Sequence, residues 1–135
     1  MFNRNQRIGL TTLVVDEYDA AIEFFVDKLG FQLVEDTLIK SENKRWVVVA
    51  PNGSTESGLL LAKASDDIQV NSVGNQTGGR VAFFLYTDDF WRDFEQYKSK
   101  GIKFIREPVK QPYGTVAVFE DICGNLWDLL EPSAR

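Results

Sequence analysis

Apolar and polar positions along the chain follow two periods, and the periods change in the same order twice. Residues 8 to 36, IGLTTLVVDEYDAAIEFFVDKLGFQLVED, open on an apolar run that ends in Asp16-Glu17. Tyr18, Ile22, Phe25 and Leu29 then recur at spacings of three and four, which places them on one face of a helix. Gly30 stands where that helix would close through a left-handed residue, and Phe31, Gln32, Leu33 and Val34 begin an alternating strand. Residues 80 to 107, RVAFFLYTDDFWRDFEQYKSKGIKFIRE, repeat the succession. An apolar strand ends in Asp88-Asp89, a helix carries Phe90, Phe94 and Tyr97 on one face, and Gly101 precedes a strand that starts Ile102, Lys103, Phe104, Ile105. Acidic residues at both helix starts suit the free amides and positive dipole end there, so the two acidic pairs read as helix caps.

The match continues downstream. RWVVVAPNG (45–53) is answered by GTVAVFEDICG (114–124), each a strand running into a glycine turn, and GLLLAKA is answered by NLWDLLEP. Gly30 and Gly101 are 71 positions apart, as are Gly53 and Gly124, whereas Tyr18 and Phe90 are 72 apart. The register therefore slips by one residue inside the helix. The pattern predicts an α+β fold class, with two βαβββ modules in tandem at 7–64 and 79–132 and a polar linker at 65–78, in a single domain over 1–135. One such module leaves an open, half-buried sheet that a second copy can cover. The expected arrangement is a curved mixed sheet around a cleft, with the helices outside.

Composition narrows the function classes. A chain of 135 residues with 44% hydrophobic and 26% charged residues can bury a core and remain soluble. Its formal charge of -5 and the absence of any basic block argue against a nucleic-acid partner. The single cysteine, Cys123, allows no internal disulfide and fits a reducing compartment; with no flanking Lys or Arg to lower its pKa, it is not read as a nucleophile. The N-terminal apolar run is too short for a signal peptide, and no stretch approaches the roughly 18 apolar residues of a membrane span. A cytoplasmic protein without a membrane partner is expected. The count of histidines is zero, which excludes Ser-His-Asp and Cys-His nucleophilic sites and removes the commonest nitrogen ligand for metals.

One residue conflicts with its surroundings. Asp128 lies between Trp127 and Leu129 in an apolar strand, where a carboxylate costs roughly several kcal/mol unless it is paired or faces water. The segments AAIEFFVDKLGFQLVED (20–36), GGRVAFFLYTDD (78–89) and EPVKQPYGTVAVFEDICGNLWDLLEP (107–132) give the acidic position a context. Through them the chain resembles the vicinal oxygen chelate proteins, a superfamily that includes glyoxalase I, extradiol dioxygenases and bleomycin-resistance proteins. The resemblance implies first-strand metal ligands at Leu10 and Ala82, which cannot bind a metal, and a last-strand acid at Asp128, with no counterpart in GLLLAKA. Because at most one ligand of the usual set is left, no resident metal or cofactor is expected; a divalent ion held by Asp128, Tyr86 and waters is the disfavoured alternative. Drug-sequestering relatives act by binding alone. The expectation is a protein that binds a small, partly apolar molecule in the cleft. The alternatives are a lyase, isomerase or dioxygenase with an atypical metal site, and a non-catalytic interaction module. Members of this fold generally pair, so a homodimer is expected.

Strand alternation then predicts which residues share the cleft with Asp128. Leu126 and Leu130 lie on its side of the last strand, and Arg80, Phe84 and Tyr86 on the matching side of the strand that holds Ala82. Thr12 and Val14 share the face of Leu10. The candidate ligand-binding residues are Asp128, Arg80, Tyr86, Phe84 and Thr12, with Trp46 as a roof and Tyr113, in the turn QPYGT, as a lid. Each also has a plain structural reading. Asp128 can pair with Arg80 or another cation, Arg80 can mark the end of the linker, and the aromatics can be packing. No catalytic residue is assigned.

Overall fold

In the computed structural model, which describes residues 4–54 and 57–134, the chain divides into two compact units, Met1–Ala64 and Ser65–Arg135. Unit 1 runs β1 (Leu10–Val15), α1 (Tyr18–Ile22), a π-helical continuation (Glu23–Lys28), β2 (Gln32–Ile39), a 3-10 turn (Lys40–Glu42), β3 (Lys44–Ala50) and β4 (Gly58–Lys63). Its sheet has the order β1-β4-β3-β2, with β1 and β4 parallel and the other pairs antiparallel. Unit 2 runs α2 (Asp67–Ser72), β5 (Val81–Tyr86), α3 (Phe90–Ser99), β6 (Phe104–Gln111), β7 (Gly114–Glu120) and β8 (Leu126–Pro132). Its sheet, β5-β8-β7-β6, has the same pattern of parallel and antiparallel pairs. The predicted pair of α+β modules is present.

In unit 2 the apolar face of α3, Phe90, Phe94 and Tyr97, is buried against one face of the sheet. Ring contacts run without a break from the helix across the strands: Phe94 to Phe104 at 4.6 Å, Phe104 to Phe119 at 5.7 Å, Phe119 to Trp127 at 5.7 Å and Trp127 to Phe83 at 4.6 Å. Such pairs add about 0.5–1.5 kcal/mol each beyond their buried area. The Asp89 side chain caps α3 by accepting from Arg92 N at 3.2 Å, and Glu131 Oε1 accepts from Phe90 N at 2.7 Å. The first acidic pair behaves differently. Glu17 occupies the N-cap position of α1 with no side-chain cap hydrogen bond, and its carboxylate pairs with Lys63 at 3.2 Å.

In unit 1 the core face of the sheet carries Leu13, Val15, Val47, Val49 and Leu61, all almost fully buried. Arg45, on the same face of β3, reaches Asp19 of α1 at 2.8 Å and Asp36 of β2 at 2.7 Å, with its guanidinium over the Tyr18 ring. That links two strands to the helix. Gly30 and Gly101, with φ of 77° and 83°, close the two main helices in the left-handed region as predicted.

The one-residue slip between the modules has a structural cause. Leu10 pairs with Gly58 and Val81 with Leu126, so the first strands begin 71 positions apart. A β-bulge between Val81 and Phe83 adds Ala82 to β5, and Leu13 and Leu85 are then 72 apart. The offset returns to 71 at Gly30 and Gly101 because the π-helical segment inserts one residue into the first helix. The wider turn also brings the adjacent Phe24 and Phe25 both into the core, where simple helical spacing selects Phe25 alone.

The stretch expected to be a linker holds the short helix α2, capped by Asp66 accepting from Gln69 N at 2.8 Å. It is also packed onto its own unit. A side chain at Gly74 would place its Cβ 2.1 Å from the Cys123 carbonyl oxygen, and Gln76 N donates to Asn125 Oδ1 at 3.3 Å. Among the described residues no helix is long and apolar enough to cross a membrane.

Candidate functional site

Opposite α3, the sheet of unit 2 presents a second face. Register aligns Phe84, Asp128, Val118 and Arg106 in one row across β5, β8, β7 and β6. The next row holds Tyr86, Leu130, Val116 and Val109. Val118 and Leu130 are buried and form a floor, while Phe84 and Tyr86 are 60% and 66% exposed. Asp128 is part-buried between them. Partial burial raises its carboxyl above the ordinary aspartate value, and the Arg106 guanidinium works against that shift. The alternation expected from the sequence therefore holds for Asp128, Leu126, Leu130, Phe84 and Tyr86.

It does not hold for Arg80. That residue precedes β5, and the bulge at Ala82 interrupts the alternation that put it on the face of Phe84. The cation whose field reaches Asp128 is Arg106. Counting by twos from Phe104, whose ring lies in the core, places Arg106 on the core face as well. A bulge between Phe104 and Arg106 turns it to the other side. No signal in the sequence marks this bulge, because the equivalent Leu33 and Glu35, 71 positions earlier, flank a matching one and the spacing of the repeat is kept.

Thr12 and Trp46 belong to unit 1. Thr12 aligns with Leu60, Val48 and Glu35 in the row equivalent to that of Asp128, and Trp46 shares the face of Val48, partly exposed. Tyr113 occupies the turn between β6 and β7 with Pro112 and is exposed; its carbonyl accepts from Ser133 N at 2.9 Å. Gly114 follows because a Cβ there would lie 2.3 Å from the Glu131 carbonyl oxygen. Of the predicted set, Phe84, Tyr86 and Asp128 come together on one face.

The turn before β8 is a structural device that the sequence reading missed. Asp121 and Asn125 are 5% and 3% exposed. Asp121 Oδ1 accepts from the backbone amides of Cys123, Gly124 and Asn125 at 3.0, 3.1 and 3.0 Å. Its Oδ2 accepts from Asn125 Nδ2 at 3.2 Å and Trp127 Nε1 at 3.1 Å. One carboxylate thus shapes the turn, orients the Trp127 ring in the core and fixes the register that presents Asp128 one residue later.

The donor set does not suit a resident metal. Leu10 and Ala82 are apolar, the strand partners of Asp128 are Phe84 and Val118, and Tyr86 lies one row away. Among the described residues no group of three or more His, Cys, Asp and Glu converges.

Comparison with known proteins agrees with the fold. The family model for the Glyoxalase/Bleomycin resistance protein/Dioxygenase superfamily matches residues 7–129. An uncharacterized protein of Shewanella frigidimarina (strain NCIMB 400) is 58% identical over 93% of this chain and 93% of its own length. Among solved structures, UcmS2 is 28% identical with a TM-score of 0.82, covering 94% of this chain and 98% of its own. TnmS3, an antibiotic binding protein from Streptomyces sp. CB03234, is 27% identical with a TM-score of 0.77, covering 96% and 98%.

Proposed function

Because the chain belongs to the Glyoxalase/Bleomycin resistance protein/Dioxygenase superfamily, we propose that it works by binding, holding a small, partly apolar molecule on the face of unit 2 opposite α3 without a resident metal. The observation that carries this reading is the row Phe84, Asp128, Val118, Arg106, with Tyr86 beside it. Two exposed rings over a buried aliphatic floor suit a flat apolar body, and one carboxylate and one guanidinium supply polar contacts for its edge. That TnmS3 binds an antibiotic favours an antibiotic-like ligand here. Tyr113, in the turn between β6 and β7, completes the proposed contact set in unit 2; Thr12 and Trp46 lie in unit 1, on the row and the face equivalent to those of Asp128. The protein is read as a single cytoplasmic domain that forms a homodimer. Lyase, isomerase and dioxygenase readings gain no support, since their metal would find too few donors.

Thermal-shift and intrinsic-fluorescence titrations with a panel of aromatic antibiotics test the reading. At least one compound stabilises the protein, and Phe84→Ala and Tyr86→Ala, each at an exposed position, weaken that compound's binding by about ten-fold. A panel without a stabilising ligand, or unchanged affinity in both variants, sinks the proposal.

A further inference from the structure

Asn52 is the only asparagine in the chain that is followed by glycine. The pair occupies the turn after β3, and both residues are exposed. Ser54 N donates to the Pro51 carbonyl at 3.0 Å, and Gly53 has a φ of 89°, the positive value that the third position of a type II turn requires. A Cβ built on Gly53 would meet nothing within 4 Å beyond its chain neighbours, so the space around it is open. The other asparagines lack this combination. Asn125 is 3% exposed, its side-chain amide donates to Asp121 Oδ2 at 3.2 Å, and Leu126 follows it. Asn43, Asn71 and Asn75 are followed by Lys44, Ser72 and Gln76, and any side chain at the following residue hinders attack by its amide.

An exposed side-chain amide next to an unhindered backbone nitrogen is set up for an intramolecular acyl transfer. We propose that Asn52 is a covalent modification site, at which the side-chain amide is lost without an enzyme and the residue becomes aspartate or isoaspartate. The Gly53 nitrogen attacks Asn52 Cγ and closes a five-membered cyclic imide. Asn52 Nδ2 leaves as ammonia, carrying the proton that the Gly53 amide gives up. Water then opens the ring. Addition at Cγ yields aspartate; addition at the Asn52 main-chain carbonyl yields isoaspartate, with the chain running through the former side chain. One water is consumed and one ammonia released, and nothing is oxidised or reduced. The turn must open for the nitrogen to face Cγ, and local opening of an exposed turn costs little. Glycine supplies the backbone freedom for the ring to form. Either product adds one negative charge to the formal -5. Isoaspartate also lengthens the main chain by one carbon close to Ser54, whose carbonyl accepts from Gln32 Nε2 at 3.2 Å and so ties the turn to β2.

The change takes no part in the ligand binding proposed above, and its test is independent of it. The full-length protein is incubated in mildly alkaline buffer, and samples are digested, mapped by mass spectrometry and labelled with a protein isoaspartate methyltransferase. The peptide carrying Asn52 gains the mass of an amide-to-carboxylate exchange, with isoaspartate the larger product, while Asn43, Asn75 and Asn125 stay intact. Asn52→Gln blocks the change, because its ring would need six members. Gly53→Asp, a residue type that tolerates positive φ, slows it at least ten-fold. The proposal is overturned if the Asn52 peptide converts only when the chain is unfolded in urea, if conversion centres on another asparagine, or if Gly53→Asp converts as fast as the parent.

Discussion

At the scale of single residues, Asp128 and Asp36 respond to their surroundings in opposite directions. Partial burial raises the Asp128 carboxyl, with Arg106 opposing, whereas hydrogen bonding from Arg45 lowers that of Asp36. A raised folded-state pKa means that the native state binds more protons than the unfolded chain between the two values, so stability falls as pH rises through that window. For Asp36 the stabilising contribution is present above the unfolded value and is lost as pH falls through the lowered one. Asp128→Asn should therefore be more stable than the parent at pH 7 in urea denaturation. Its advantage should shrink as pH falls through the raised native value towards about 4, the ordinary aspartate value, and be gone below it. A less stable Asn variant at pH 7 would mean that the carboxylate is held by a favourable contact and would contradict this account. The misfit of Asp128 was legible in the sequence because a carboxylate among apolar strand residues is conspicuous. Its neighbour Arg106 was not, because one inserted residue reversed its face.

At the scale of elements, short irregular features decide what the regular ones present. The bulges in β2, β5 and β6 and the π-helical segment each insert one residue, and each changes which side chains reach the core or the open face. The turn from Asp121 to Asn125 does so through hydrogen bonds. Asp121→Ala removes the side-chain acceptor of the Cys123 and Asn125 backbone amides, the Asn125 side-chain amide and Trp127 Nε1, most of them in a buried setting, while Gly124 N keeps the Asp121 carbonyl at 3.0 Å. The expected loss is about 3 kcal/mol or more in urea-denaturation stability. Asp66→Ala, which removes the exposed cap of α2, should cost only about 1 kcal/mol. Equal losses in the two variants would show that the buried turn is not the anchor described. Strands and helices were legible because periodicity records burial of a face. The turn itself was legible from its glycine, but the bulges and the buried Asp121 network were not, because neither a single-residue insertion nor a distant hydrogen-bond partner marks the local composition.

At the scale of the whole molecule, each unit covers one face of its sheet with a helix and leaves apolar side chains on the other. Phe84 and Tyr86 in unit 2 and Leu10 and Trp46 in unit 1 are all substantially exposed. Exposed patches of that kind favour association, and a two-fold pair is the commonest closed solution. Sedimentation should accordingly show a species of about twice the 15.3 kDa chain mass at micromolar concentration; a monomer at that mass would remove the homodimer from the proposed function. The sequence by itself determined the duplication, the order of strands and helices in each half, the family and the absence of histidine chemistry. The duplication, the element order and the lack of histidine follow from periodicity, spacing and composition, which are local properties of the chain; the family follows from the resemblance and from the model matched over residues 7–129. Only the tertiary structure decided that Arg106 rather than Arg80 faces Asp128 and that residues 65–78 fold onto unit 2. Those features depend on pairing register and on contacts between residues far apart in sequence, and a one-residue bulge is enough to exchange which side chain points where.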